Sequence, residues 1–179
     1  MVETEKKYRL TIEQRERVSA RLNEIGATFH GEDFEENTLF RGGILSLKPC
    51  VLRLRRTDGK STLTFKQRLP SETTVKHQIE HETVIENADA MNEIIKNLGY
   101  FPSLIYEKRR KTWRINDVEI VLDELPFGLF MEIEGDEAKI LETEKLLSIN
   151  DLQTENETYP SLTYKHGAKN GNLIESRFV

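Results

Sequence analysis

Cysteine, long apolar runs and basic charge are all scarce in this sequence, and each scarcity excludes a class of protein. Cys50 is the single cysteine among 179 residues, so the chain cannot form an internal disulfide and has no partner cysteine for a zinc site. Its apolar runs are far too short to span a bilayer. The N-terminus has Glu3 and Glu5 where a signal peptide needs basic and then apolar residues, so we expect a cytoplasmic protein with no membrane partner.

The balance of charge excludes a second group of functions. The chain has 26 Lys and Arg against 31 Asp and Glu, a net charge of -5, whereas proteins dedicated to duplex nucleic acid need a basic surface. A phosphate-binding P-loop is also missing, since "RGG" at 41–43 lacks the Lys-Ser/Thr that completes one. With 37% hydrophobic and 32% charged residues, we expect one soluble domain in which part of the charge lies inside.

Helical spacing of apolar residues between a capping residue and a stop predicts three helices. Thr11 and Gln14 form a capping-box pattern, and Asn87 precedes the second helix as a cap. Gly26 and Gly99 end these two segments. The predicted helices span residues 11–25, 88–98 and 137–147.

Eight further segments are predicted to be strands, joined by turns short enough to make most neighbours antiparallel. Asp58-Gly59 in "TDGK" is the strongest hairpin signal, and "RIND" joins a second pair in the same way. Eight antiparallel strands with three inserted helices predict an α+β fold in which the sheet closes into a barrel. Little apolar content follows His166, so that segment is predicted to be loosely held. The strands span residues 3–9, 34–40, 50–57, 61–68, 76–85, 104–114, 117–123 and 129–134.

Charged residues recur at every second position in most of these strands, and each strand largely carries one sign. Since successive side chains of a strand point to opposite faces, such strands have one charged face and one apolar face. The cations at these positions are Arg53, Arg55, Lys66, Lys108 and Arg110, and the carboxylates are Glu3, Glu5, Glu80, Glu82, Asp123, Glu132 and Glu134.

Two interpretations of the charged faces are open. In the first, the apolar faces form the barrel core and the charges lie in water, but a solvated face normally mixes signs and tolerates uncharged polar residues. In the second, the charges line the barrel interior and the apolar faces pack outward on the helices. Interior charges are expensive unless they pair, coordinate metal or hold a ligand. The grouping of signs favours this second interpretation.

The two groups of charges suggest chemistry on a polyphosphate. Glu3, Glu5, Glu132 and Glu134, with Asp123, offer the all-oxygen ligands that Mg²⁺ or Mn²⁺ prefers. The Arg and Lys strands could bind several phosphates, Arg through bidentate forks and Lys as a point charge. A metal beside a dense cation cluster is typical of phosphoryl-transfer sites.

Taken in order, these motifs resemble the CYTH domain family, also called the triphosphate tunnel metalloenzymes. "ETEKK" fits the E-x-E-x-K signature, followed by "ENTLF", "LRLRRTDGKSTLTFKQ", "IEHET", "YEKRRKTW" and "VLDELPFGLFMEIEG". "TYPSLTY" is similar to a Ser-Tyr-x-x-Leu element near the end of the family's pattern. The resemblance covers residues 1–164 as one CYTH domain and leaves 165–179 as a C-terminal tail.

The resemblance implies an eight-stranded antiparallel tunnel with a charged interior, helices packed outside and a role for each inward charge. Glu80 and Glu82 match acids that hold a second metal or the cation network, and Lys66 is the candidate to deprotonate or orient the nucleophile. The family's metal acids match Glu3, Glu5, Glu132 and Glu134, with Asp123 near the same site, and its triphosphate-binding cations match Lys7, Arg53, Arg55, Lys66, Lys108 and Arg110.

Three functional hypotheses are open, and the resemblance implies the first two of them. The favoured one is a Mg²⁺- or Mn²⁺-dependent triphosphatase that takes a small inorganic or nucleoside triphosphate, with a class IV adenylyl cyclase as the alternative. A non-catalytic polyphosphate- or nucleotide-binding module is the third, and a homodimer remains open. Leu39 stands where the thiamine triphosphatase branch has a tyrosine, which argues against thiamine triphosphate. Arg41 stands where an acid is common, and Thr158-Tyr159 replaces Ser-Tyr.

Overall fold

A computed structural model describes residues 4–68 and 78–179, apart from the side chains of Arg68 and Gln78. This part of the chain has an α+β fold with four α-helices and one large, mostly antiparallel sheet. The helices are α1 (Ile12–Glu24), α2 (Ala88–Asn97), α3 (Glu137–Leu147) and α4 (Tyr159–His166). The strands are β1 (Glu5–Leu10), β2 (Thr28–Arg41), β3 (Cys50–Arg56), β4 (Ser61–Arg68), β5 (Gln78–Ile85), β6 (Phe101–Ile115), β7 (Val118–Leu125), β8 (Gly128–Glu134), β9 (Gln153–Thr154), β10 (Ala168–Asn170) and β11 (Leu173–Ser176).

The chain divides into two compact units, and the division falls inside the two longest strands, β2 and β6. Unit 1 contains residues 35–68, 78–107 and 159–179 of the described chain. Unit 2 contains residues 4–34 and 108–158.

In unit 2, the strands follow the order β6-β7-β8-β1-β9 with antiparallel pairing. One face of this sheet is apolar, and its residues form a buried core with α1 and α3. Leu22 of α1 and Ile140 of α3 join Ile120, Ile133 and Trp113 of the sheet in this core. Because α1 and α3 cover the apolar face, the charged positions of the same strands lie on the opposite face.

Unit 1 repeats this arrangement with different elements. Its strands follow the order β5-β4-β3-β2, all antiparallel, and Ile95 of α2 packs on Phe40 and Leu54 of their apolar face. A short 3₁₀ turn, Gly43–Ser46, adds Leu45 to this core. The C-terminal β10 and β11 form an antiparallel pair, and β11 adds in parallel to β6.

The predicted helices agree closely with α1, α2 and α3, for the reasons read from the sequence. The Thr11 side chain accepts from Gln14 N and the Gln14 side chain accepts from Thr11 N, which is the predicted capping box. Asn87 caps α2 by accepting from Ala90 N. Gly26 and Gly99 have φ values of 75° and 87°, a left-handed conformation that glycine adopts without strain.

The C-terminal half of the chain departs most from the prediction. Residues after 166 were expected to be loosely held, whereas they form β10 and β11, and α4 and β9 were not predicted at all. β2 begins at Thr28, six residues before the predicted strand. Its first residues are mostly exposed and do not alternate between apolar and polar, so the sequence pattern does not indicate a strand there. Residues 3, 76 and 77 of the predicted strands lie outside the described residues. No ladder among the described residues closes the sheet, so the barrel is not confirmed.

No helix formed by the described residues has the length and apolar content needed to cross a membrane.

Candidate functional site

Cross-strand register brings charges from four strands onto the polar face of unit 2. Lys7 of β1 lies opposite Glu132 of β8, and Arg110 of β6 lies opposite Asp123 of β7. Lys108 precedes Arg110 by two residues and therefore shares its face. We call Lys7, Lys108, Arg110, Asp123 and Glu132 the mixed-charge cluster.

Arg110 is the hub of the mixed-charge cluster. Its Nε and Nη2 atoms donate to the two carboxylate oxygens of Asp123 at 2.7 and 2.6 Å, the bidentate geometry of a strong ion pair. Its Nη2 also donates to Glu132 Oε2 at 2.7 Å. Lys7 Nζ lies 3.1 Å from Glu132 Oε1, and Lys108 Nζ donates to Asp123 Oδ2 at 3.4 Å. The two carboxylates are therefore neutralised by cations on both sides.

Burial decides between the two interpretations of the charged faces for this unit. Lys7, Lys108, Asp123 and Glu132 are only 7, 2, 1 and 8% exposed. A solvated face would leave such long side chains in water. The burial of these four residues is what the inward interpretation predicts, and it requires the ion pairs just described.

The remaining predicted metal acids stand at one end of this face. Glu5 and Glu134 are directly opposite each other in the β1–β8 ladder, and Glu134 is also opposite Glu119 of β7. Glu5 is exposed and Glu134 is half-buried, and both interact with other residues. Glu3 lies outside the described residues. Within the described ranges, no three Asp, Glu, His or Cys side chains approach closely enough to hold a metal ion, so the metal site stays a prediction.

The donor chemistry of this end nevertheless fits a hard dication. Glu5 and Glu134 supply carboxylate oxygens only, which are the ligands of Mg²⁺ and Mn²⁺. Asp123 and Glu132 are held by Arg110 and Lys7, so they would act mainly by keeping those cations in place.

The polar face of unit 1 carries a second group, in which arginines are supported by uncharged and acidic side chains. Arg55 lies opposite Asn37 of β2 and Thr62 of β4, and Arg53 lies opposite Thr64 of β4. Glu80 and Glu82 of β5 lie opposite Lys66 and Thr64. We call this group the arginine cluster, and its members are Glu35, Asn37, Arg53, Arg55, Thr62, Thr64, Lys66, Glu80 and Glu82.

Arg55 is held in place by two side chains of β2. Arg55 Nε donates to Asn37 Oδ1 at 3.0 Å and lies 3.3 Å from Glu35 Oε2. Asn37 Nδ2 in turn donates to Glu35 Oε2 at 3.3 Å. Glu35 and Asn37 are both buried, which fixes the direction of the Arg55 guanidinium.

Arg53 is held more loosely than Arg55. Its Nη2 donates to Thr64 Oγ1 at 3.2 Å, and Thr64 Oγ1 donates to Glu82 Oε2 at 2.8 Å. The same Nη2 lies 3.7 Å from Glu82. Burial, reinforced by the positive charge of Arg55, lowers the pKa of the Arg53 guanidinium from its usual value. An additional anion would offset the cost of holding Arg53 in its charged form.

Three buried polar atoms of the arginine cluster have no hydrogen-bond partner among the described residues. One is Glu80 Oε2, which is in an ion pair with Lys66, and two others remain. They are Arg53 Nε and Thr62 Oγ1, and Thr62 is 6% exposed. Buried polar groups are normally satisfied, so unpaired ones on a charged face indicate a place for an ordered water, an ion or a ligand. Lys66 Nζ, on the same face, lies 2.6 Å from Glu80 Oε2.

Sequence reasoning missed the residues that support Arg55. Glu35 and Asn37 precede Leu39 by four and two positions in a predicted strand, so period-two counting would have placed them on the charged face. The charge pattern gives no signal for them, because like charges do not recur in this strand and "ENTLF" is short and mixed in charge. Thr62 and Thr64 share their face with Lys66, but a hydroxyl carries no charge signal.

Together these features favour binding of a multiply charged anion. The arginine cluster offers guanidinium and ammonium donors, each held by a neighbouring carboxylate, and the mixed-charge cluster offers buried cations beside carboxylates. Such preorganised donors are suited to hold phosphoryl oxygens without reorganisation during a reaction.

Comparison with known proteins agrees with this chemistry. The CYTH domain model matches residues 1–171. A protein of Methanocaldococcus jannaschii named "Putative adenylate cyclase" is 29% identical over 151 residues, which cover 82% of this chain and 84% of that protein.

Solved structures share the fold. The PH1012 protein of Pyrococcus horikoshii is 25% identical with a TM-score of 0.75, and the match covers 89% of this chain and 98% of that one. HpAC1 of Hippeastrum, described as a "putative adenylyl cyclase" that "reveals a dominant" triphosphatase activity, has a TM-score of 0.65. At 17% identity, with 91% of this chain and 94% of that one covered, HpAC1 shows a shared fold alone.

Proposed function

Because the chain belongs to the CYTH domain family, we propose that it is a divalent-metal-dependent enzyme that acts on a linear triphosphate. The observation that carries the proposal is the burial of charge on the polar faces of both units. Lys108 and Asp123 of unit 2 are almost fully buried, and the half-buried Arg53 of unit 1 has a buried Nε atom with no hydrogen-bond partner among the described residues. Buried ionisable side chains are concentrated at functional sites, where they bind a ligand or take part in a reaction.

In this proposal the cations of each cluster, taken by itself, can bind phosphoryl oxygens. Arg53 and Arg55 donate to phosphoryl oxygens, and Glu35 and Asn37 keep Arg55 aligned. Lys7, Lys108 and Arg110 contribute in the same way from the mixed-charge cluster. Lys66, held by Glu80, orients the nucleophile, and Glu82 acts on the cation network through Thr64.

Glu5 and Glu134 are proposed to hold Mg²⁺ or Mn²⁺, with Glu3 as a further ligand and Glu132 and Asp123 beside it. A bound divalent ion would neutralise phosphate charge and polarise the phosphorus–oxygen bond that breaks. Glu80 and Glu82 remain candidates for a second ion.

The favoured reaction is hydrolysis of the terminal phosphoryl group. A water oxygen forms a bond to the terminal phosphorus as the bond from that phosphorus to its bridging oxygen breaks. Orthophosphate leaves with the water oxygen, and the remaining diphosphate keeps the bridging oxygen. The Arg and Lys side chains hold the chain of phosphates in line and stabilise the charge that builds on its oxygens.

Adenylyl cyclisation is the second candidate, and the name of the M. jannaschii relative is the observation that favours it. In that reaction the ribose 3′-hydroxyl attacks the α-phosphorus and pyrophosphate leaves. Both reactions need the same phosphate-binding cations, so the clusters support either. A non-catalytic binding module would need the cations without the metal acids.

Product analysis separates these candidates. The full chain is incubated with tripolyphosphate, ATP or thiamine triphosphate, each with Mg²⁺ or Mn²⁺, and orthophosphate, pyrophosphate and cyclic AMP are measured. We expect orthophosphate without cyclic AMP, and a loss of turnover of about 100-fold or more in Lys66→Ala, within the range of removing one catalytic group. Lys60→Ala is the matched control, since Lys60 lies exposed in the turn that enters the same strand.

Cyclic AMP with pyrophosphate would overturn the triphosphatase in favour of the cyclase. Tight binding of these compounds with no product from any of them would overturn both enzyme candidates and favour the non-catalytic binding module.

A further inference from the structure

Unit 2 contains a cavity of about 480 Å³ that the functions above do not use. One wall is α1, β2 contributes Glu32, and β6 and β7 contribute Arg109, Lys111, Leu122 and Glu124. Residues 109 and 111 alternate along β6 with two members of the mixed-charge cluster, so the cavity lies on the opposite face of the sheet from that cluster. Its volume falls within the roughly 300–1,000 Å³ typical of small-molecule sites.

The ion pairs of the cavity leave hydrogen-bond donors of Arg15 unused. Arg15 Nη1 and Arg109 Nη1 both donate to the carboxylate of Glu124, at 3.2 and 3.4 Å, so two guanidinium groups share one carboxylate. Lys111 Nζ lies 3.6 Å from Glu32 Oε2 and forms a separate pair. A guanidinium has five N–H donors, and Arg15 spends one of them on Glu124. Arg15 can therefore still bind a carboxylate from outside the chain.

The carboxylate of Glu16 is the second group with unused capacity. Glu16 lines the cavity and forms no ion pair with any residue that the structure describes. Ser19 and Asn23 follow it by three and seven positions on α1, so the three residues share one face of the helix. Within the described ranges, the side chains of Ser19 and Asn23 form no hydrogen bond either.

These groups complement a ligand that has one negative and one positive charge. A ligand carboxylate would accept from the spare donors of Arg15, and a ligand ammonium would donate to Glu16. Because Arg15 and Glu16 are consecutive residues, the two charges of the ligand must lie close together, as they do on the α-carbon of an amino acid. A simple anion such as phosphate would instead face the three carboxylates of Glu16, Glu32 and Glu124.

From this geometry we propose that the cavity is a second ligand site, which binds a free α-amino acid through Arg15 and Glu16. Ser19 and Asn23 favour an amino acid whose side chain is polar and uncharged, since their hydroxyl and amide groups lack partners among the described residues. Lys111 and Glu32 already neutralise each other, so they favour neither charge in that side chain. The site does not depend on the proposed function.

Trp113 provides a reporter for this cavity. It is the single tryptophan of the sequence, and it follows Lys111 by two positions on the same face of β6. Two positions of a strand span roughly 7 Å, so a ligand beside Lys111 lies close enough to change the electric field at the indole. The indole is 4% exposed, and its Nε1 has no hydrogen-bond partner among the described residues.

Isothermal titration calorimetry of the full chain with glutamine, without metal or triphosphate, tests the proposal, and Trp113 fluorescence is followed in parallel. N-acetylglutamine lacks the ammonium and glutaminamide lacks the carboxylate, so each loses one of the two ion pairs. We expect saturable binding of glutamine with a change in fluorescence, and binding at least about tenfold weaker for each blocked compound; tenfold corresponds to about 1.4 kcal/mol.

Two variants of α1 locate the site. Glu16→Gln removes the carboxylate that receives the ammonium, and it should weaken glutamine binding at least about tenfold. Glu13→Gln is the matched control, because Glu13 is an exposed acid on the same helix that does not line the cavity. It should leave the affinity unchanged.

Absence of glutamine binding at millimolar concentrations overturns the proposal, as does equal binding of the two blocked compounds. Equal affinities of the Glu16→Gln and Glu13→Gln variants, or binding without a change in Trp113 fluorescence, place the amino acid elsewhere and overturn it too. Triphosphate binding and turnover are not part of these measurements, so each outcome leaves the proposed function to its own test.

Discussion

Arg53 and Arg56 differ in environment although three positions separate them on one strand. Arg53 lies half-buried in the arginine cluster on the polar face, with a pKa lowered by desolvation and by the charge of Arg55. Arg56 lies on the other face and pairs with Glu36 at 3.0 Å and with exposed Asp89 at 2.7 Å. The first is placed to bind an anion and the second to stabilise the fold.

Arg53→Ala is therefore expected to weaken tripolyphosphate binding without loss of stability. Binding should fall by about tenfold or more, since a hydrogen bond to a charged group contributes roughly 1.5–3 kcal/mol. Stability should stay nearly equal, because the cost of desolvating Arg53 beside Arg55 is removed together with its hydrogen bond to Thr64. Calorimetric titration and urea unfolding measure the two effects.

Arg56→Ala serves as the control for this pair of measurements. It should leave binding unchanged and lower stability slightly, as expected for a partly exposed ion pair. Equal losses of binding in the two variants would contradict the division of roles between the faces.

Asp123 is the residue on which the mixed-charge cluster depends. It is 1% exposed and accepts from both Arg110 and Lys108. Asp123→Ala leaves Lys108, itself 2% exposed, without this carboxylate, so we expect a loss of roughly 3–5 kcal/mol in the free energy of unfolding.

Urea denaturation of Asp151→Ala provides the comparison for Asp123. Asp151 pairs with Arg17 at 2.7 Å, but both side chains are about half exposed, so its loss should matter far less. Similar small losses for both variants would show that the cluster is solvated in solution.

At the scale of elements, the strand β11 is fastened to unit 1 by one arginine. Arg177 Nη1 donates to Glu36 Oε2 at 2.6 Å and to Glu107 Oε1 at 2.8 Å, and Phe178 N donates to Glu107 Oε2 at 2.8 Å. These contacts, with the β6–β11 ladder, explain why a segment with few apolar residues is ordered.

The Arg177 contacts should make part of the stability of unit 1 dependent on pH. Burial opposes the ionisation of Glu36, but hydrogen bonds from Arg177 and Arg56 outweigh it and hold the pKa of Glu36 below its usual 4.5. A depressed carboxyl pKa stabilises the fold above the unfolded value and loses its effect as pH falls through the folded value.

Arg177→Ala should therefore lower stability by a constant amount between about pH 5 and 7, and the difference from wild type should shrink below about pH 4.5. Urea unfolding across that range measures it. Lys169→Ala, an exposed lysine of neighbouring β10, should show no such pH-dependent difference. A difference for Arg177→Ala that persists undiminished at pH 3 would assign its effect to packing.

At the scale of the whole molecule, metal binding should appear as added thermal stability. A ligand at 100 times its dissociation constant stabilises the native state by about 2.7 kcal/mol. We expect Mn²⁺ or Mg²⁺ to raise the Tm of the wild type and to raise it much less in Glu134→Gln, because that change removes one proposed carboxylate ligand. Differential scanning calorimetry in the absence of substrate makes the readout independent of activity.

Glu142→Gln is the matched variant, since it removes the same charge from an exposed site on α3. An equal rise in Tm for wild type, Glu134→Gln and Glu142→Gln would place the ion elsewhere.

The sequence by itself determined the α+β class, the bounds of α1 to α3 to within a residue or so, and the sorting of strand residues into charged and apolar faces. These properties depend on local spacing, on caps such as Thr11 and Asn87, and on the period of two in strands. It also named Lys7, Lys108, Asp123 and Glu132 as inward residues, because like charges recurred on several strands.

Only the tertiary structure decided which charges meet and which lie unpaired. The bidentate grip of Arg110 on Asp123, the support of Arg55 by Glu35 and Asn37, and the cavity beside Lys111 and Leu122 all depend on strand register. Strand register brings together residues that are far apart in sequence. A sequence pattern gives the face on which each residue lies, but not the residue that lies opposite it on the neighbouring strand. The order of β10 and β11 was decided in the same way, by pairing with β6 and by Arg177 rather than by local apolar content.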